Sequence, residues 1–136
     1  MKYLSILLIP VLMLLACESS EVAAPMGEIA IIANIGPLCP VANATDTTPC
    51  GYSVEKLNEI YGNYTLKILT EKNGTKIEVY STKLSYPAKV IKALPMGTYS
   101  IDVNNQTTTV NTDVEAFTIS STEKQILNLE IDTGIR

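Results

Sequence analysis

The sequence contains no histidine and no tryptophan, and its single phenylalanine is Phe117. Without histidine the chain lacks the usual general base, which excludes the Ser/His/Asp and Cys/His relays and the histidine ligands of a catalytic zinc. It also lacks a Gly-rich phosphate loop and the spaced aspartates of an EF-hand. The acidic residues stand mostly singly, which is typical of solvent-exposed positions rather than of a catalytic pair. We therefore predict that the protein is not an enzyme and has no catalytic residues, metal or cofactor.

Basic residues are in the minority. Ten Lys and Arg stand against fourteen Asp and Glu, which gives a formal charge of −4, and the basic residues are scattered singly along the chain. An acidic chain without a basic patch is poorly suited to binding a phosphate backbone. Nucleic acid is therefore not expected as a partner.

The first sixteen residues have the layout of a secretory signal. Lys2 provides a positive charge, and an apolar segment follows from Leu4 to Ala16, too short to cross a bilayer as a helix, which takes about 20 apolar residues. Leu14-Leu15-Ala16-Cys17 resembles the lipobox of bacterial lipoproteins. The resemblance implies cleavage before Cys17, a diacylglycerol thioether on its sulfur and usually an acyl chain on the new amino terminus. Two or three chains anchor a protein stably, whereas one holds it only marginally.

Two other interpretations of this segment stay open: an ordinary signal peptide that leaves a free cysteine, and an uncleaved anchor helix. An unpaired exported thiol is a liability, and Pro10 disfavours a helix, so we favour the lipoprotein. In lipoproteins the residue after the cysteine influences sorting, and Glu18 is not the aspartate linked to inner-membrane retention. We expect a lipid-anchored protein of the cell envelope, at the outer membrane where the cell has one.

The pattern predicts three segments: a signal peptide at 1–16, a lipidated terminus and flexible tether at 17–26, and one domain at 27–136. Cleavage removes Lys2, so nine basic residues remain against fourteen acidic ones and the charge becomes −5. The mature chain is rich in Thr, Val, Ile and Tyr, which favour strands.

Residues 36–51 differ from the rest because they contain three prolines and two glycines, which predicts a surface loop. Once Cys17 carries lipid, Cys39 and Cys50 are the only cysteines left, and outside the cytoplasm we expect them to form a disulfide. Closing this loop is worth roughly 3 kcal/mol in the chain-entropy model. A zinc site is the alternative, but the chain has too few nitrogen and sulfur ligands for it.

Outside this loop the hydrophobic pattern mostly alternates, as in half-buried strands. Tyr52–Tyr61 is the exception, because its helical spacing indicates one or two helical turns with Ser53 as a possible N-cap. An irregular approach to the next strand is the alternative. Asn73-Gly74 predicts a hairpin. The alternating or apolar stretches are Gly27–Ile35, Tyr64–Ile68, Ile77–Val79, Ala88–Leu94, Tyr99–Val103, Thr107–Ile119 with Phe117 and Ile119 as its core pair, and Leu127–Ile131. They predict an all-β fold, a single antiparallel Ig-like or transthyretin-like β-sandwich of about seven strands.

Four motifs occur in an order that resembles bacterial exported proteins of the carboxypeptidase regulatory-like group. They are Gly36-Pro37-Leu38-Cys39-Pro40-Val41, Pro49-Cys50, Leu94-Pro95-Met96-Gly97-Thr98-Tyr99 and Asp132-Thr133-Gly134-Ile135-Arg136. The resemblance implies a transthyretin-like (prealbumin-like) sandwich and no catalysis, since the name refers to an accessory domain of a peptidase. The chain departs from the group at residues 83–88, where an Asp-x-x-Gly turn usually precedes the Leu-Pro-x-Gly-x-Tyr strand.

These features predict a non-catalytic accessory or interaction module of the envelope, whose partners are the membrane, through the lipid, and an envelope protein or glycan. The candidate interaction residues are Leu38, Val41 and Tyr52, on a backbone restrained by prolines and the disulfide. Alternatively, Leu38 and Val41 cap the open end of the sandwich. A second candidate function is a carbohydrate- or surface-binding module, adhesin-like or pilin-like, with Tyr52, Tyr61 and Tyr64 as an aromatic platform. Without Trp, we expect the tyrosines to be mostly core or half-buried.

Replacing Cys17 tests the anchor. Cys17→Ser removes the sulfur that would carry lipid, so the protein should leave the membrane fraction and run as an unprocessed precursor. The measurement is membrane fractionation with immunoblotting. A Cys39→Ser/Cys50→Ser double variant is the matched control and should stay in the membrane fraction. If Cys17→Ser fractionates as the wild type does, the lipid is not on Cys17.

Overall fold

The computed structural model describes residues 22–105 and 116–135, which fold into two packed β-sheets. The elements are β1 (Met26–Gly36), a 3₁₀ turn (Pro49–Gly51), α1 (Val54–Tyr61), β2 (Tyr64–Lys72), β3 (Thr75–Lys83), β4 (Ala88–Pro95), β5 (Gly97–Asn105), β6 (Phe117–Ile119) and β7 (Gln125–Asp132). The predicted all-β sandwich of about seven strands is confirmed. The predicted signal peptide, Cys17 and the first part of the predicted 107–119 strand region lie outside the described residues.

The first sheet has the strand order β4-β1-β7 and the second the order β3-β2-β5-β6. β1 pairs with β4 antiparallel and with β7 parallel, so the expectation of a wholly antiparallel sandwich is wrong for this one pair. Parallel neighbours need a long crossover connection. Here the whole second sheet lies between β1 and β7 in the chain, and it supplies that crossover.

The core lies between the sheets and follows from alternation along the strands. In β1 the inward side chains are Ile29, Ile31, Ala33 and Ile35, all at most 4% exposed. The second sheet contributes the predicted sets Tyr64, Leu66, Ile68 and Tyr99, Ile101, Val103, and the short β6 adds Phe117 and Ile119. Each fully buried large aliphatic side chain contributes about 1.5–3 kcal/mol.

Two predicted turns are confirmed, each with a local cause. Asn73 (φ 53°) and Gly74 (φ 76°) both occupy the left-handed region that a two-residue hairpin requires, and they join β2 to β3. Between β4 and β5, the Tyr99 hydroxyl donates a 2.7 Å hydrogen bond to the carbonyl of Pro95. The Tyr99 ring stacks on Phe117 at 5.6 Å between centroids, which ties this turn to β6.

The return strand β3 differs from expectation. Ile77 and Val79, which the alternation placed in the core, are 42% and 41% exposed. β3 is the edge of the four-stranded sheet, and the opposite sheet has only three strands to cover it. The register also shifts between Ile68 and Leu69, so that Val79 has no partner in the ladder and forms a bulge.

Gly27 packs closely against β6 and the loop that follows it. A Cβ atom built there would lie 2.3 Å from the backbone oxygen of Ser121 and 2.5 Å from Cγ2 of Ile119. Neither distance is physically acceptable, and the first neighbour is backbone. The glycine is therefore required by close packing between the sheets.

Gly27→Ala should destabilise the domain by about 1–3 kcal/mol, the usual cost of overpacking. The measurement is thermal or denaturant unfolding followed by circular dichroism. Gly36→Ala is the matched control, since no atom lies within 4 Å of the added Cβ there. Equal stability of the two variants would show that β1 and the loop at Ser121 can separate without cost.

Candidate functional site

The sandwich has two ends that carry different features. At one end, which we call the tether end, Pro25 immediately precedes β1, and its carbonyl accepts a 3.1 Å hydrogen bond from the amide of Met96. At the other end, which we call the loop end, lie residues 36–51, α1, the β3–β4 connection 84–87 and the C-terminal residues 133–135. The eleven residues of β1 separate the two ends by about 33 Å.

The loop is fastened by the predicted disulfide between Cys39 and Cys50, whose Cα atoms are 6.0 Å apart. Inside it, the amide of Asp46 donates to the carbonyl of Asn43 at 3.1 Å. At its end, the Thr48 hydroxyl donates a 2.7 Å hydrogen bond to the carbonyl of Tyr52. The disulfide is thus confirmed, and the loop has its own internal hydrogen bonds.

The C-terminal motif holds the start of this loop. The amide of Thr133 donates to the carbonyl of Gly36 at 3.2 Å, and its hydroxyl donates to the carbonyl of Pro37. The amide of Gly134 donates to Oδ1 of Asp132 at 2.8 Å, which fixes the turn after β7. Two motifs that are almost a hundred residues apart in the sequence are therefore neighbours in the fold.

Helix α1 closes the loop end, and it confirms the predicted helical turns. The hydroxyl oxygen of Ser53 accepts from the amide of Lys56 at 3.2 Å, as an N-cap does. Leu57 and Tyr61 are the buried residues of α1. The Tyr61 hydroxyl accepts a 3.3 Å hydrogen bond from the amide of Ile35. Burial raises the pKa of Tyr61, so its hydroxyl stays protonated beyond the usual range.

Tyr86 in the β3–β4 connection completes this closure. Its ring meets Tyr61 edge-on at 5.4 Å, and its amide donates to Oδ1 of Asn58 in α1 at 2.8 Å. Through Tyr86, the β3–β4 connection docks onto α1.

The three candidate interaction residues do not share one environment. Leu38 is half-buried and packs against the hydrophobic core, Tyr52 is half-buried, and Val41 is 79% exposed. The packing of Leu38 against the core is what the capping interpretation expects of this residue. Val41 does not cap the sandwich, because its side chain is presented to solvent on the fastened loop.

The candidate aromatic platform is not available. Tyr61 is 3% exposed and Tyr64 is 6% exposed, so neither ring can stack on a sugar at the surface. Of the three tyrosines only Tyr52 retains partial exposure.

Residues 22–105 and 116–135 contain no group of three or more His, Cys, Asp or Glu side chains that could hold a metal ion. In the same residues, no helix is long and apolar enough to cross a membrane. A scan against protein-family models finds no match to this sequence, and a search of curated proteins finds none either.

Sequence reasoning missed one charged feature of the fold. Lys83 at the end of β3 and Lys89 near the start of β4 line one crevice at the loop end. They are six residues apart, on either side of a connection containing Pro87. A lysine on each side of Pro87 was the only signal for this pairing in the sequence.

Leu38 and Val41 should respond differently to the same substitution. Leu38→Ser removes a side chain that packs against the core and should cost about 1–2 kcal/mol of unfolding free energy. Val41→Ser changes an exposed side chain and should stay within about 0.5 kcal/mol of wild type. Denaturant unfolding measures both, and a Val41→Ser loss equal to that of Leu38→Ser would show that Val41 is packed.

Proposed function

We propose that this protein is a lipid-anchored component of the bacterial cell envelope whose β-sandwich is a non-catalytic accessory or interaction module. Cys17 carries the lipid, and the partner is an envelope protein or glycan that contacts the loop end. The resemblances to lipoproteins and to the carboxypeptidase regulatory-like group support this assignment, and the two-sheet sandwich is compatible with the second of them.

The observation that carries the proposal is the polarity of the sandwich. Cys17 precedes β1 by nine residues, and this tether joins the domain at the tether end. The disulfide-fastened loop lies at the opposite end, about 33 Å away along β1. An anchor at one end leaves the other end clear of the point of attachment, where a partner can reach it.

Val41 is the side chain best placed for such a contact. It is apolar and 79% exposed, and it lies inside the segment closed by Cys39 and Cys50. A restrained backbone loses less conformational freedom on binding than a flexible one, so more of the contact energy remains as affinity. The partly exposed ring of Tyr52, just after the disulfide, adds an aromatic group of the kind enriched in interfaces.

Site-specific photocrosslinking in native membranes tests this function. A photoreactive amino acid at position 41 should give a discrete adduct, and Tyr52→Ala should reduce its yield severalfold without lowering the melting temperature. The matched control carries the same amino acid at position 126, because Ile126 is also apolar and 65% exposed but lies near the tether end. Mass spectrometry of the adduct identifies the partner.

Two results would contradict the proposal. One is an adduct of the same size and yield from position 126, which would show that contact does not depend on the loop. The other is a loss of stability in Tyr52→Ala with unchanged crosslinking, which would give Tyr52 a packing role only.

A further inference from the structure

A crevice of about 190 Å³ opens between the edge strands β3 and β4, beside the connection that joins them. The two strands belong to different sheets, and this side of the sandwich is left uncovered because each is the outermost strand of its sheet. Lys83, Ser85 and Lys89 line the crevice together with Tyr80 and Thr82, and the backbone at Leu84 is fixed by a 3.0 Å hydrogen bond to the carbonyl of Tyr64.

The charge of the crevice is opposite to that of the chain. Two lysines line it and no acidic residue does, although the whole sequence has a charge of −4. The ion pairs among the described residues use Lys56, Lys67 and Lys124, so neither crevice lysine is neutralised in this way. A third ammonium group lies close by, since Nζ of Lys92 stands 4.6 Å from the ring centre of Tyr80.

The crevice also offers a hydrogen-bond donor. Within the part of the chain that the structure describes, the Ser85 hydroxyl has no hydrogen-bond partner, whereas the Thr82 hydroxyl donates to the carbonyl of Lys83 at 3.2 Å. Val90 and Ile91 add apolar surface on the β4 side. The volume is below the roughly 300 Å³ at which pockets for drug-sized ligands begin, so the occupant is small.

We propose that this crevice binds a phosphate-type oxyanion carried on a small soluble or sugar-borne group. Lys83 and Lys89 neutralise the anion from two sides, the Ser85 hydroxyl donates a hydrogen bond to one of its oxygens, and the apolar wall accommodates the carbon attached to it. Charge-assisted hydrogen bonds of this kind are stronger than neutral ones.

The position of the crevice distinguishes this source of phosphate from a lipid headgroup. It lies at the start of β4, whose eight residues run about 23 Å to the tether end. This step rests on the proposed function: with the anchor at Cys17, the protein's own bilayer lies at the tether end. The phosphate groups of this bilayer are therefore out of reach of the two lysines when the domain stands upright on its tether.

Titration with inorganic phosphate tests the site directly. The full mature protein in zwitterionic micelles is titrated while amide NMR shifts of residues 82–90 are followed. A saturable change with a dissociation constant of about 1–10 mM is expected for two exposed lysines and one hydroxyl, and added salt should weaken it. Absence of saturable shifts up to about 50 mM phosphate, well beyond that range, overturns the proposal.

Charge-removing variants locate the site. Lys83→Gln and Lys89→Gln should each weaken phosphate binding by about fivefold, and Ser85→Ala by a smaller factor. Lys72→Gln makes the same change in net charge at an exposed position at the end of β2, in the β2–β3 hairpin. This variant should bind phosphate as the wild type does. Unchanged amide shifts outside the crevice show that the variants fold. Equal weakening by Lys72→Gln would show that the loss of phosphate binding comes from overall charge, and would overturn the site.

The source of the phosphate is tested in the same micelles. Adding phosphatidylglycerol should leave the amides of residues 82–90 unshifted. If this lipid shifts them more strongly than inorganic phosphate does, and Lys83→Gln abolishes the shift, the ligand is a lipid headgroup and the assignment to a soluble or sugar-borne group is wrong.

Discussion

The pairing of β1 with β4 on one side and β7 on the other is the constraint on which the rest of the structure depends. β1 supplies four inward side chains to the core. At Gly27 it packs so closely against Ile119 and Ser121 that there is no room for a Cβ atom. Its partners come from the middle and from the end of the chain. The first sheet is therefore complete only when residues about a hundred positions apart have met, and such non-local pairing makes folding slow.

Much of the fold could be predicted from local pattern, and the failures have a shared cause. Alternation correctly placed the inward faces of β2 and β5 because each has a strand on both sides and a sheet beneath it. It failed for Ile77 and Val79 because burial also depends on what lies opposite, which strand order decides. The parallel pairing of β7 could not be predicted either, since a strand in which Leu and Ile alternate with polar residues has the same pattern in either direction.

In the candidate site, too, some features could be predicted from the local sequence and others depend on the fold. The disulfide followed from counting cysteines, and the N-cap at Ser53 followed from spacing alone. No local pattern could separate Leu38 from Val41, because whether a loop residue packs inward depends on the distant stretch of chain that holds the loop. Here that chain includes Thr133, whose two hydrogen bonds hold Gly36 and Pro37 and so set the direction in which the loop leaves β1.

The lysine crevice shows why net charge is a weak guide to local binding. A charge of −4 on the chain repels anions at long range, but at physiological salt charges beyond about 8 Å are largely screened. Within that distance an anion in the crevice meets Lys83 and Lys89 first, and no acidic side chain lines the same surface. The overall charge therefore opposes the approach of an anion only weakly, whereas the residues that line the crevice decide whether it stays. A long phosphate backbone would extend over the acidic surface and meet this repulsion along its length, whereas a single phosphate group would not.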